Sequence, residues 1–330
     1  MTTYEKQESI SSTSIYTEVE KKESYQTLQD ILESSCSCSK LHGVVIDMLK
    51  VIAEITIDLR TSIVTVEGVC NTFGDSQLSV DMIADKLMWE ACKKSSVIRE
   101  GASEEDPVVK YLGNDGEEEY TVCWDPLDGS SIVDNNWAVG TIIGVWGKET
   151  GLIGATGRDQ KTAIVALYGP RTTVLVALDD GVYEFTYDDN WICTREKILI
   201  KDTSKIFSPA NLRAAQDISS YNTLIQYYLT NKYTLRYTGG LVPDVYQQFI
   251  KQQGIFTNPT SQKSPAKLRL AFEAAPFALL VEKAGGKSSD GVTGGSILDV
   301  VIQGVDQRTA MCCGSATEVD RFNGMFHLFS

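Results

Sequence analysis

Trp124-Asp125-Pro126-Leu127-Asp128-Gly129-Ser130-Ser131 places two carboxylates three residues apart and follows them at once with a glycine and two serines. The run before it, Tyr120 to Trp124, is apolar and β-branched, so the order is that of a strand, a metal loop and a phosphate cradle. Asp125, Asp128 and the Leu127 carbonyl can offer three oxygens to a hard divalent cation from one tight loop, and Pro126 limits how that loop bends. Gly129 lets backbone approach a ligand closely. The N–H groups of Ser130 and Ser131, if they open a helix, present its positive end to an anion. About twenty residues earlier stands Ser103-Glu104-Glu105, a second acidic pair. An isolated D-x-x-D-G-S is better explained by an acidic turn that caps a helix. The upstream pair shifts the balance towards phosphate-ester hydrolysis, which needs cations at the phosphoryl oxygens and N–H groups to hold them.

With 330 residues and 42% hydrophobic content the chain can bury the cores of two fused subdomains. No apolar run reaches the roughly 18 to 20 residues a membrane span requires. Lys+Arg 30 against Asp+Glu 44 gives a formal charge of -14, which repels nucleic acid and anionic membranes at long range. A phosphorylated substrate meets the same field unless bound cations offset the acids locally and Arg or Lys receives its far end. Eight cysteines, at 36, 38, 70, 92, 123, 193, 312 and 313, form no C-x-x-C pair and read as free thiols in a reducing compartment. Residues 1–30 are rich in Ser, Thr, Glu and Lys. Transit peptides are poor in acids, so this stretch reads as a mobile acidic tail of a cytoplasmic protein.

Val44, Val45, Met48, Leu49, Ile52, Ile55 and Leu59 recur at helical spacing and predict an amphipathic helix from Leu41 to about Thr61. After a turn at Phe73-Gly74-Asp75, Gln77 to Cys92 is a second helical pattern with Asp81 and Asp85 on one face. Trp137 to Trp146, Ala163 to Leu167, Thr173 to Leu178 and Val182 to Tyr187 read as strands. Strands that follow one another without helices predict a mixed or antiparallel sheet. The pattern changes around Lys201 to Pro209, which divides the chain into the 1–30 tail, a metal-site subdomain at 31–203 and a second subdomain at 204–330, for which the family likeness described below implies sugar-phosphate binding. In the second part Ser219 to Leu229 is helical, and Arg236-Tyr237-Thr238-Gly239-Gly240 brings a cation and a phenol into a glycine turn. Glu273 lies in an apolar helix pattern where an unpaired charge is costly, and a cation shared with Asp125 and Asp128 would partner it. Asp85 reads as a solvated acid, and Glu282 and Lys283 as the solvated end of the Glu273 helix, closed by Gly285-Gly286.

Ser103-Glu104-Glu105, the 124–131 motif, Leu268-Arg269-Leu270-Ala271-Phe272-Glu273 and Glu282-Lys283-Ala284-Gly285-Gly286 together resemble the fructose-1,6-bisphosphatase family. Val139 to Trp146 (VGTIIGVW), Thr156 to Gln160 (TGRDQ), Tyr168 to Thr173 (YGPRTT) and Lys232 to Gly240 (KYTLRYTGG) resemble its sedoheptulose-bisphosphatase branch. The likeness runs from about residue 70 to the C-terminus. It implies an α/β fold of layered helices and sheets, the αβαβα sandwich shared with inositol monophosphatases. It also implies Mg²⁺-dependent hydrolysis of the 1-phosphate of a ketose bisphosphate, sedoheptulose 1,7-bisphosphate, with fructose 1,6-bisphosphate as the alternative.

The same resemblance implies two or three Mg²⁺ per subunit held by Asp75, Glu104, Asp125, the Leu127 carbonyl, Asp128 and Glu273. Asp81 and Glu105 would activate the attacking water. Gly129, Ser130, Ser131, Asn211, Arg236, Tyr237, Gly239 and Lys267 would bind substrate, with Arg213 a further cation near Asn211. The expected assembly is a homodimer or homotetramer in which Arg236 crosses to the neighbouring site, with no nucleic-acid or membrane partner. A monophosphatase of the inositol type needs no distal anion pocket, and an inactive regulator or scaffold has no need to keep clustered charge. In the family a lysine and an arginine bind inhibitory AMP where this chain has Glu119 and Gly147, so AMP inhibition through that site is not expected. The region 61–75 has only Cys70, which leaves no cysteine pair for a thioredoxin-type switch there, and Asn258 replaces a sugar-pocket tyrosine.

Overall fold

The structure is a computed structural model that describes residues 25–61, 66–70, 76–112, 120–147, 149 and 151–328. In chain order the elements are α1 (Leu28–Ser35), α2 (Ser39–Thr61), β1 (Val66–Cys70), β2 (Ser76–Leu78), α3 (Ser79–Lys94), β3 (Ile98–Ser103), β4 (Lys110–Tyr111) and β5 (Tyr120–Asp128). There follow α4 (Ser130–Val133), β6 (Val139–Gly147), β7 (Gln160–Tyr168), β8 (Thr172–Leu178), β9 (Gly181–Asp188) and β10 (Asn190–Arg195). The remainder holds β11 (Ile206–Pro209), α5 (Ser219–Thr230), β12 (Thr234–Leu235), α6 (Leu241–Lys251), β13 (Ile255–Asn258), α7 (Ala275–Lys283), β14 (Lys287–Ser289), β15 (Met311–Gly314) and α8 (Ala316–Phe326).

Strands β3 to β10 form one eight-stranded sheet in the order β10-β9-β8-β7-β6-β5-β3-β4. All its neighbours are antiparallel except β3 and β5, so the expected mixed sheet is present. The strands alternate between two apolar layers with the period of two that a pleated strand imposes. On β5, Tyr120, Val122 and Trp124 face one core with α1, α2 and α3, while Cys123 faces the other. On β7, Ile164 and Ala166 face the first and Ala163 and Val165 the second, which is shared with α6 and α7. Both faces are covered, and this explains why β6 to β8 read as nearly unbroken hydrophobic runs.

The smaller sheet, β12-β11-β13-β15-β14, closes the far side of α6 and α7. Its outer face, with Phe207, Ile255 and Cys312, packs on Tyr221, Leu224, Val319 and Phe322 of α5 and α8. The layers therefore run helix, sheet, helix, sheet, helix. Cys312 and its neighbour Cys313 point into different layers, as adjacent strand residues must, and the described cysteines are free thiols. The large sheet ends at Arg195 and the small one begins at Ile206.

Two of the boundaries that differ from the sequence reading have a local cause. The second helix starts at Ser79, because Ser76–Leu78 pairs antiparallel with β1. Trp137 stands outside β6 and is exposed, after a turn in which Asn136 takes φ 56°. No helix among the described residues is long and apolar enough to cross a membrane.

Candidate active site

A regular strand sends residues three apart to opposite faces, yet Asp125 and Asp128 meet. The β5–β6 register shows how: Asp125 stands opposite Ile142 and Asp128 opposite Gly140, so β5 holds one more residue than its partner across this interval. That irregularity at Pro126-Leu127 is a bulge, and it turns both carboxylates to one side. Leu127 N–H donates to Asp125 Oδ1 at 3.0 Å, and the Pro126 carbonyl accepts from Thr141 Oγ1 at 2.8 Å, which fixes the bulge from both sides.

Glu273 reaches the same point from a π-helical turn, Leu270–Ala274, at the start of α7, and Arg269 N–H donates to its Oε2 at 2.6 Å. One oxygen from each of Asp125, Asp128 and Glu273 lies within 4.8 Å of the others. Asp125 and Glu273 are buried. Asp128 is half-exposed as a residue but turns its carboxylate inward. Burial, then the charge of Glu104, then Asp128 and Glu273 drive the Asp125 carboxyl far above the usual range. Burial and Glu104 do the same to Glu273. Asp128 is pushed up to about 7 by burial, against the pull of Val242 N–H at 2.6 Å and Leu241 N–H at 3.2 Å.

Three converging acids held out of water and raised in pKa are the chemistry of a divalent-cation site: hard oxygens, short separations and mutual repulsion that a cation would relieve. The residues present therefore fit a metal. Glu104 borders the group, but its carboxylate is ion-paired with the buried Arg269. Arg269 thus holds two of the expected ligands at once, Glu104 by its side chain and Glu273 by its backbone. The sequence signal was a base four residues before the acid in an otherwise apolar run.

Asp81 is buried in the first turn of α3, and Glu105 is half-buried with its N–H on Ser103 Oγ at 3.1 Å. Neither belongs to the three-carboxylate group. Asp75 and Glu119 lie outside the described residues. Gly129 takes φ 89°, which favours glycine, and opens the single turn Ser130–Val133, in which Ser130 is half-buried and Ser131 exposed.

Asp85 corrects the sequence reading. It is not solvated: its Oδ1 accepts from Ser103 Oγ at 2.5 Å and from Trp124 Nε1 at 3.0 Å. One carboxylate on α3 thereby ties the Glu104–Glu105 bend to the strand that delivers Asp125. Glu282 and Lys283 are corrected likewise, because they end the helix against protein and not in solvent. Glu282 accepts from Ser288 Oγ at 2.6 Å and pairs with Arg158, while Lys283 Nζ donates to the Leu178 carbonyl at 2.7 Å.

Beside Asp128 opens a cleft of about 230 Å³ lined by Asn211, Tyr237, Gly239 and Lys267, with Arg213 and Asn258 on its walls. Arg236 is exposed and does not line the cleft of its own chain. Asn211 lines it in an unexpected sense. Its amide nitrogen donates to the Pro259 and Ser264 carbonyls, both at 2.8 Å, so the two carbonyls fix which atom is nitrogen. The Oδ1 that remains is buried without a partner. Asn211 can therefore accept from a hydroxyl but has no N–H left for a phosphate.

Two further residues shape the cleft. Asp244, buried on α6, accepts from Thr238 N–H at 2.6 Å and Gly239 N–H at 3.0 Å and so pins the turn that carries Tyr237. Gly140, opposite Asp128, has no room for a side chain: a Cβ there would stand 2.3 Å from the Ala166 carbonyl and 2.4 Å from Val242 Cγ1. The start of α6 can lie against β6, and donate to Asp128, because that position is glycine.

Comparison with known proteins gives a consistent result over nearly the whole chain. The family model described as fructose-1-6-bisphosphatase, N-terminal domain, matches residues 15–196, and that of the C-terminal domain matches residues 200–327. A chloroplastic sedoheptulose-1,7-bisphosphatase of Triticum aestivum is 47% identical over 300 residues, 90% of this chain and 75% of that one. A class 1 fructose-1,6-bisphosphatase of Syntrophotalea carbinolica is 37% identical over 265 residues, 79% of this chain and 81% of its own. The crystal structure of Leishmania major fructose-1,6-bisphosphatase in holo form superposes with a TM-score of 0.85 at 28% identity, covering 91% of this chain and 98% of that one.

Proposed function

This chain belongs to the fructose-1-6-bisphosphatase family, and from that premise we propose that it hydrolyses the 1-phosphate of sedoheptulose 1,7-bisphosphate to sedoheptulose 7-phosphate and phosphate. The observation that carries the reading is the convergence of Asp125, Asp128 and Glu273, with Asp128 also lining a cleft that holds Tyr237 and Lys267. Carboxylates that need a cation stand at one end, and groups that suit a sugar phosphate stand at the other. Fructose 1,6-bisphosphate is the alternative substrate.

Asp125, Asp128, Glu273 and the bordering Glu104 would hold two or three Mg²⁺, with Asp75 and the Leu127 carbonyl completing the set. Bound Mg²⁺ supplies neutralisation of phosphoryl oxygens and a lowered pKa for water. The chain's own groups do the rest. Glu105 and Asp81 take the proton from the attacking water, and the N–H groups of Ser130 and Ser131 after Gly129 hold the phosphoryl oxygens. Tyr237, Gly239 and Lys267 place the sugar, and Asn211 Oδ1 accepts one of its hydroxyls. Arg236, exposed and not among the residues lining its own cleft, suits the crossing to a neighbouring subunit in a homodimer or homotetramer. AMP inhibition through the family's site is not expected, because Gly147 offers no cation where the family has an arginine.

Phosphate release from sedoheptulose 1,7-bisphosphate, fructose 1,6-bisphosphate and inositol 1-phosphate, with Mg²⁺ and after chelation, tests the reading. The expected result is Mg²⁺-dependent release from the two bisphosphates, the seven-carbon one preferred. Release from inositol phosphate alone, or from none of the three, overturns it.

A further inference from the structure

We propose that Arg213 is a substrate-binding residue of its own subunit, a guanidinium that takes the distal phosphate and selects ketose bisphosphates over ketose 1-monophosphates. The proposal rests on the bisphosphatase reading above and deepens it by assigning that phosphate a partner within the same chain.

The cleft is electrically polar. Asp128, one of the three converging acids, lines it, and Arg213 and Lys267 are the cations on its walls. A ligand with an anionic group at each end can lie in such a cleft one way only, with its reacting phosphate at the metal-binding acids and its far phosphate at the cations. Tyr237 lines the same cleft, near enough to both Asp244 and Arg213 for its phenol to feel their charges.

Arg213 is also available and well placed. It is exposed, and among the described residues its guanidinium has no hydrogen-bond or ion-pair partner. Its backbone is fixed. The short 3-10 turn Leu212–Gln216 starts from Asn211 in the left-handed region at φ 47°, Asn211 is anchored to the Pro259 and Ser264 carbonyls, and Ala214 is fully buried behind. Only the side chain of Arg213 is left to move, over the cleft. A planar fork of N–H donors matches phosphate oxygens in pairs, which neither the Asn211 acceptor nor a single ammonium can do. Because Arg236 does not line this cleft, Arg213 gives the distal phosphate a guanidinium that needs no neighbouring subunit.

Sedoheptulose 7-phosphate retains only the distal phosphate and binds without turnover, so calorimetry with it tests the assignment apart from catalysis. Arg213→Ala should bind it about 10- to 100-fold more weakly than the wild type, with Arg213→Lys between them. Binding of fructose 1-phosphate should change less than about twofold, and thermal unfolding should be unaltered. In steady state the bisphosphate KM should rise by a similar factor at an unchanged kcat. Equal binding of sedoheptulose 7-phosphate by wild type and Arg213→Ala, or an equal loss for fructose 1-phosphate, overturns the proposal. A wild type that binds sedoheptulose 7-phosphate through Arg213 yet releases no phosphate from any bisphosphate sinks the enzymatic reading and leaves this one standing.

Discussion

The two ends of the cleft are built on opposite plans. At the acidic end, Asp125, Asp128 and Glu273 turn their carboxylates inward and lie within 4.8 Å, against backbone donors from α6 and from the turn before α7. At the other end Tyr237, Lys267 and Arg213 are exposed side chains on loops of the smaller subdomain. The first arrangement costs folding energy unless a cation is bound, because like charges removed from water repel and are poorly solvated. The second costs almost nothing, since solvated cations are ordinary. A chain spends stability where charge must be preorganised for a reaction, and leaves recognition of the far end to flexible groups that order when ligand arrives. Changes at the acidic end should therefore appear in kcat and in metal-dependent stability, and changes at the other in KM.

The strongest test removes an acid. Asp128→Ala should lower phosphate release by at least about 10³-fold, the scale of losing a group that acts on the transition state. The metal-free variant should melt no lower than the metal-free wild type, because one of three repelling carboxylates has gone. Turnover within tenfold of wild type would show that the three-acid group is not the reacting site. A drop in metal-free stability would show that Asp128 is held by its α6 donors and not strained by its neighbours.

Asp85 sharpens the contrast, since it serves the acidic end without belonging to it. Asp85→Ala frees Ser103 Oγ and Trp124 Nε1 together and should reduce kcat about tenfold with KM little changed, through a looser Glu104–Glu105 bend. Asp85→Asn keeps an acceptor at the same place and should restore most of the loss. Equal defects in the two variants would mean that charge, not positioning, is what Asp85 supplies.

What the sequence could announce follows the same division. The acids of 124–131, Glu104 and Glu273 were legible because motif chemistry is local, and the strands of the large sheet because they are short apolar runs bounded by turn residues. Four features were not. Asp85 looked solvated because its partners lie 18 and 39 residues away on other elements. Arg269 could not be assigned to Glu104 across 165 residues of chain. Asn211 was placed in the substrate pocket by the family resemblance, but which of its amide atoms is free depends on carbonyls 48 and 53 residues downstream. The bulge that brings Asp125 and Asp128 to one side is visible only in the pairing of β5 with β6. In each case a residue's role is set by a contact that composition and spacing do not encode.

The smallest expected effect tests the cost of the acidic end directly. Folding raises the carboxyl of Asp128 to about 7 and that of Asp244 to about 6, in both cases chiefly by burial, and raises Asp125 and Glu273 further. A raised folded-state pKa means that the native protein binds protons the unfolded chain has already released. This contribution is present in full below the ordinary aspartate range and is lost as pH rises through about 6 and then about 7. Metal-free protein should accordingly melt a few degrees lower at pH 8 than at pH 5. Saturating Mg²⁺ should reverse the slope, because the ionised carboxylates bind it and stabilise only the folded state. Asp128→Ala should flatten the metal-free profile, whereas Lys267→Ala, at the other end of the cleft, should leave it as steep as the wild type. Scanning calorimetry from pH 5 to pH 8 with chelator and with Mg²⁺ decides the matter. A metal-free midpoint that stays level or climbs across that range would mean the three carboxylates are already compensated within the protein, and the contrast between the two ends of the cleft would lose its physical basis.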